Sequence, residues 1–162
     1  MTTVLRLWGV LLVVALLQGC GSMDSKVGGV LNLDTDLKLV INVDSDVNPD
    51  EKGHPSPVFL RMYELKSPTL MEQADFIALY ERDTEVLGKD YIAKLELKRL
   101  APGDARVEKH VLNAETQYIA LFAEFFDYKN AKYKVVFPVT SNNIIRNSIN
   151  IRLSGTDIII EK

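Results

Sequence analysis

Cysteine is almost absent from this chain: of 162 residues only Cys20 carries a thiol, and only His54 and His110 carry an imidazole. One thiol cannot close an intramolecular disulfide, and with two histidines it cannot complete a tetrahedral zinc site of the usual kind. The fold must stand on packing. Basic charge is not in excess either, since 19 Lys and Arg face 22 Asp and Glu for a net charge of −3. The electrostatic footprint that a phosphate backbone demands is missing, which excludes nucleic acid as a partner. No G-x-S-x-G elbow occurs, and Gly28-Gly29 lacks the Lys and Ser/Thr that would follow in a phosphate-binding loop. His54, in a proline-bounded loop, and His110, on the polar side of a strand pattern, read as solvated imidazoles rather than bases. No catalytic residue is assigned. No apolar run reaches the about 20 residues that a spanning helix needs.

What the chain does contain begins at its N-terminus. Arg6 is followed by an almost unbroken apolar run from Trp8 to Leu17 and then by Gln18, Gly19 and Cys20. A positive charge, a short apolar centre and a small residue before the cut describe a signal peptide, here residues 1–19. Leu17-Gln18-Gly19-Cys20 resembles the bacterial lipobox, whose Cys accepts a diacylglycerol thioether and becomes the new N-terminus; Gln18 is the one imperfect position. Each buried methylene contributes about 0.8 kcal/mol, so one acyl chain holds marginally and several hold durably. By resemblance to known lipoproteins, Gly21 in place of an Asp implies transfer to the outer membrane, facing the periplasm. Apart from this covalent lipid no cofactor is expected. The stretch 20–36 opens rich in Gly and Ser and reads as a flexible tether, reaching roughly 20 to 25 Å as a coil.

From residue 37 to 162 the dominant period is two. Leu37, Leu39, Ile41 and Val43 alternate with Lys38 and Asn42, as a half-buried strand requires. Ala93, Leu95 and Leu97 repeat the pattern, as do Val107 and Val111 against Arg106, Glu108 and His110, and Ile149, Ile151 and Leu153 against Asn150 and Arg152. Tyr118 to Phe126 is apolar on both parities apart from Glu124, which predicts a central strand covered on both sides. Asp127 to Ala131 reads as a hairpin connection into the run Tyr133 to Val139, and Pro102-Gly103 as a turn. Ile158 to Ile160 closes a set of about eight short strands, the number and spacing of an all-β, two-sheet sandwich. One stretch departs from this pattern: after Ser67-Pro68, the residues Leu70, Met71, Ala74, Phe76, Leu79, Tyr80 and Leu87 recur at three or four, predicting a short helical insertion with a core-facing side.

Asp44-Ser45-Asp46-Val47-Asn48-Pro49-Asp50 spaces oxygen ligands as a calcium loop does. Pro49 stands where that loop's sharp turn wants Gly, and Pro55 where a bidentate Glu should complete the shell, so no metal is assigned. The same segment is an acidic connection between strands, with Asp44, Asp46, Asp50 and Glu51 against Lys52, stiffened by Pro49, Pro55 and Pro57. Stiff loops bind at lower entropic cost.

Asn48 to Leu65, reading Asn-Pro-Asp-Glu-Lys-Gly-His-Pro-Ser-Pro-Val-Phe-Leu-Arg-Met-Tyr-Glu-Leu, resembles the signature of the type VI secretion lipoprotein family, TssJ. Ala74-Asp75-Phe76 with Leu79-Tyr80, Leu100 to Gly103, Tyr118 to Asp127 and Ile149 to Ile160 resemble it in the same order. The resemblance implies a transthyretin-like β-sandwich with added helices. It also implies an outer-membrane lipoprotein that binds the periplasmic C-terminal domain of TssM, an inner-membrane protein, and so anchors a contractile injection apparatus across the envelope. The contact region it implies is the loop between the first two strands: Asp44, Asp46, Asn48, Pro49, Asp50, Glu51, Lys52, Gly53, His54, Pro55 and Ser56. The loop's acidity would steer a basic surface and set register more than add affinity. No small-molecule substrate is implied. The rival from another class is a lipid-anchored periplasmic module that binds a small ligand or glycan on the sandwich face near the helices. If Cys20 carries the anchor, Cys20→Ser leaves an unlipidated chain that folds normally but does not support secretion; a fully active Cys20→Ser strain contradicts the assignment.

Overall fold

The computed structural model describes residues 35–140 and 147–161. Eight strands form two four-stranded sheets. The first has the order β4-β1-β7-β8, built from β1 (Thr35–Val43), β4 (Ala105–Leu112), β7 (Asn147–Ser154) and β8 (Asp157–Glu161). The second has the order β3-β2-β5-β6, built from β2 (Leu60–Leu65), β3 (Tyr91–Glu96), β5 (Tyr118–Ala123) and β6 (Lys134–Pro138). All pairings are antiparallel except β1 with β7. These residues belong to one unit, Asp34–Lys162, and the transthyretin-like sandwich expected from the sequence is what they form.

The strand patterns follow from what each face touches. Leu37, Leu39, Ile41 and Val43 of β1 are buried against Leu60, Met62, Ile119 and Leu121 of the opposite sheet. The second sheet has a further layer behind it: Tyr63, Leu65, Ala120 and Phe122 pack against Met71, Phe76, Leu79 and Leu87 of the helices. That is why β5 is apolar on both parities.

The insertion is two helices rather than one, α1 (Thr69–Gln73) and α2 (Phe76–Leu87). The chain is extended at Asp75, whose carboxylate caps α2 by accepting the Ala78 N–H at 2.8 Å. Ser67 contributes at the start of α1, its hydroxyl accepting from the Thr69 N–H at 3.3 Å. Tyr80, grouped by its spacing with the core-facing side, is exposed and lies under the Arg61 guanidinium.

Two charged side chains attach the helices to the sheet. Lys134 Nζ donates to the carbonyls of Met71, Glu72 and Ala74, placing all three of its N–H groups and its charge at the C-terminus of α1. Asp83 follows Arg82, where α2 leaves helical geometry. Its buried carboxylate accepts from the Tyr63 hydroxyl at 2.8 Å and Lys94 Nζ at 2.9 Å, with Arg61 at 3.4 Å. Burial opposes the charge on Asp83, but the hydrogen bonds from Lys94 and Tyr63 outweigh it and hold the carboxyl below its ordinary range.

The edge strands show where periodicity misleads. Val107 and Val111, expected to face the core, are 54% and 66% exposed. By register it is Arg106, Glu108 and His110 that share the inner side with Ile41, Leu39 and Leu37. Strand β4 is an edge, and inward-pointing charge on an edge strand discourages a second chain from pairing there. His110 is accordingly not the solvated imidazole expected, since its Nε2 is buried without a hydrogen-bond partner. Leu95 lies on the inner side beside Met62 but is left exposed because β3 is also an edge. The opposite side of the sandwich is tied by the Ile158 N–H donating to the Lys132 carbonyl at 3.0 Å.

Asp83→Asn should lower stability by about 2 kcal/mol at neutral pH, because Lys94 loses its 2.9 Å charged partner while Arg61 keeps its pairing with Glu124. A carboxyl held below its unfolded value of about 3.9 stabilises above that pH and loses the contribution as pH falls through its folded value. Urea titrations from about pH 5 down to about pH 2 should therefore show a shallower acid loss for Asp83→Asn than for the wild type; parallel curves refute the role given to Asp83.

Candidate functional site

Strand β1 runs out of the sheet into the connection 44–59, and its residues divide into a committed stem and an exposed tip. Asp44 pairs with Arg152 Nε at 3.0 Å, and hydrogen bonds from Ser154 and then Arg152 hold its carboxyl below the ordinary range. Asp46 accepts from the Gly155 N–H at 3.2 Å. Val47 is fully buried in the inter-sheet core. These contacts fasten the stem to the β7–β8 turn.

Asn48 is the junction. It adopts φ 49°, a left-handed conformation that Asn tolerates better than most residues. Its N–H donates to the Gly155 carbonyl at 2.7 Å, and its own carbonyl accepts from the Ser56 N–H and hydroxyl. Its buried side chain donates to the Pro57 carbonyl at 2.9 Å and accepts from the Phe126 N–H at 2.7 Å. One residue thus ties together both sides of the first loop, the β7–β8 turn and the β5–β6 connection. Asn48 and Ser56 face inward on these bonds.

The tip follows from Pro49. Asp50 Oδ1 accepts from the N–H groups of Lys52 and His54, both at 2.8 Å, and the Gly53 N–H donates to the Asp50 carbonyl at 2.9 Å. Gly53 sits at φ 79°, where a side chain would be strained. The bond from the His54 N–H and then that from Lys52 lower the Asp50 pKa, so the carboxylate is charged. His54 Nδ1 lies 3.4 Å from its second oxygen. Glu51, Lys52, Gly53, His54 and Pro55 are exposed. The acidic side chains do not converge, and among the described residues no group of three or more His, Cys, Asp or Glu is placed to hold a metal ion.

A neighbouring feature escaped the sequence reading. The apolar run Tyr118 to Phe126 was expected to be covered throughout, but β5 ends at Ala123, Phe125 turns inward and Phe126 is 58% exposed beside the loop tip. Two adjacent phenylalanines at the end of a strand cannot both face the same side, and that was the available signal. The lipobox residues Leu17, Gln18, Gly19 and Cys20 and nearly all of the tether lie outside the described residues; Thr35 and Asp36, at the tether's end, already pair within β1. No helix among the described residues is long and apolar enough to cross a membrane.

Comparison with known proteins agrees with this architecture. Residues 35–156 match the family described as Type VI secretion lipoprotein, VasD, EvfM, TssJ. The crystal structure of the type VI lipoprotein TssJ1 from Pseudomonas aeruginosa is 27% identical with a TM-score of 0.73, covering 79% of this chain and 95% of that one. Serratia marcescens Lip, a membrane-bound component of the type VI secretion system, shares the fold at 20% identity and a TM-score of 0.71, covering 78% of this chain and 97% of that one. A structure described as the TssM C-terminal domain from EAEC contains a chain 25% identical with a TM-score of 0.64, covering 77% of this chain and 99% of that one. No curated relative matches at a significant level. With two four-stranded sheets in this arrangement and a family match over most of its length, the chain belongs to the type VI secretion lipoprotein family, a structural component of a secretion apparatus and not an enzyme.

Proposed function

We propose that acyl chains on Cys20 hold this lipoprotein in the outer membrane, facing the periplasm, and that the loop Asp44–Ser56 binds the periplasmic C-terminal domain of TssM. The protein is then a clamp, with lipid at one end and an inner-membrane partner at the other. Family membership supports this reading, as do the similar chains found in structures described as a type VI membrane complex and as the TssM C-terminal domain.

The observation that carries the reading is the direction and build of β1 and its loop. The tether enters β1 at Thr35 and the loop leaves it after Val43. At about 3.3 Å per residue the strand places the loop roughly 25 to 30 Å from the entry point, at the other end of β1. The tip is ordered by its own hydrogen bonds and held on a buried stem, so little ordering remains to be done on binding. Its charged Asp50 and Glu51 suit a basic partner surface.

Because the hydrogen bonds of Asp50 to His54 close on themselves, replacing Asp50–Pro55 by two glycines should leave thermal stability nearly unchanged. The same change should weaken binding to the TssM periplasmic domain about tenfold or more, read by calorimetry. Undiminished affinity rejects the loop assignment.

A further inference from the structure

Facing the loop tip across a groove of about 500 Å³ is the β5–β6 connection. Pro49, Asp50 and Glu51 form one wall; Phe126, Asp127 and Lys129 are part of the other. Both walls are built before any partner arrives. The Phe126 backbone is fixed by the 2.7 Å bond from its N–H to Asn48 Oδ1, the same amide that anchors the loop. Asp127 accepts at both carboxylate oxygens from Asn130 Nδ2. Tyr128 is stacked on Phe76 with ring centroids 4.3 Å apart, which joins this wall to the helix–sheet core.

The composition of the groove selects its occupant. Three carboxylates, Asp50, Glu51 and Asp127, face one base, Lys129. Among them stands a phenylalanine more than half exposed on a rigid backbone. Small-molecule sites bury most of their ligand within concave, mainly apolar walls, whereas this groove is open and rimmed with charge. An exposed aromatic with a mainly acidic rim is instead the form of a protein hot spot, in which the aromatic supplies the affinity and the rim sets approach and register.

We propose that the docking surface extends beyond the first loop: Phe126 is its apolar anchor, and the groove takes a polypeptide segment of the partner that presents an apolar side chain flanked by Lys or Arg. This rests on the preceding reading for the partner's identity and divides the work differently from it. The loop acids govern how fast the partner arrives, and Phe126 governs how long it stays.

The test measures association and dissociation rates of the full-length lipoprotein in detergent with the TssM periplasmic C-terminal domain. Phe126→Ala should weaken binding about 30-fold, mainly through faster dissociation, with the melting temperature unchanged because the side chain is exposed. Phe126→Leu should recover most of the affinity, and it decides the matter should Phe126→Ala melt early. Glu51→Gln combined with Asp127→Asn should slow association about fivefold at low salt and flatten its salt dependence. Val111→Ser, an exposed apolar change on the edge strand β4, should bind as the wild type does. If Phe126→Ala binds within about twofold of wild type while loss of Asp50–Pro55 abolishes binding, the anchor is refuted and the loop reading stands. Wild-type chain that does not bind the domain at all removes both.

Discussion

The second sheet is apolar on both faces, and the remaining layers are arranged to cover it. Leu60, Met62, Ile119 and Leu121 need the first sheet, while Tyr63, Leu65, Ala120 and Phe122 need the helices. Helices of five and twelve residues are marginal by themselves in water, so packing must keep them in place. Asp83 and Lys134 add direction to that packing. Each is a charge held by several hydrogen bonds across the helix–sheet boundary, and a helix that slid would leave the charge unpaired.

A rigid scaffold of this kind lets its connections specialise. At the end where β1 finishes, the first loop, the β5–β6 connection and the β7–β8 turn come together on Asn48. The buried amide satisfies both a donor and an acceptor that would otherwise be stranded beneath the loop. The outcome is an exposed acidic tip whose base cannot move independently of Phe126. At the other end the chain enters from its N-terminal segment. The entry of the chain into β1 and the first loop therefore lie at opposite ends of one strand of the sandwich.

Much of this was legible from residue order because the interior strands answer to simple rules. The alternation in β1 and β7 and the double-sided run of β5 each came out as read, since a strand in the middle of a sheet has neighbours on all sides and its pattern reports them. The edges were different. On β4 the valines face solvent and Arg106, Glu108 and His110 face inward, because an edge strand must avoid pairing with another chain as well as bury apolar surface. The helical segment was recognised as one insertion, but its division at Asp75 depends on a cap to Ala78 that spacing does not reveal.

Residue order by itself determined the β class, seven of the eight strands, the acidic first loop and the family resemblance, for these rest on local periodicity and on strings of adjacent residues; β2, buried on both faces, shows no alternation to read. Tertiary structure alone decided that Asn48 is a buried junction, that Asp44 and the exposed Asp46 bond to Arg152 and Gly155, and that Phe126 stands beside Glu51. Asn48 and Phe126 are 78 positions apart in the chain. Their meeting is a consequence of strand order in two stacked sheets, which no local pattern encodes.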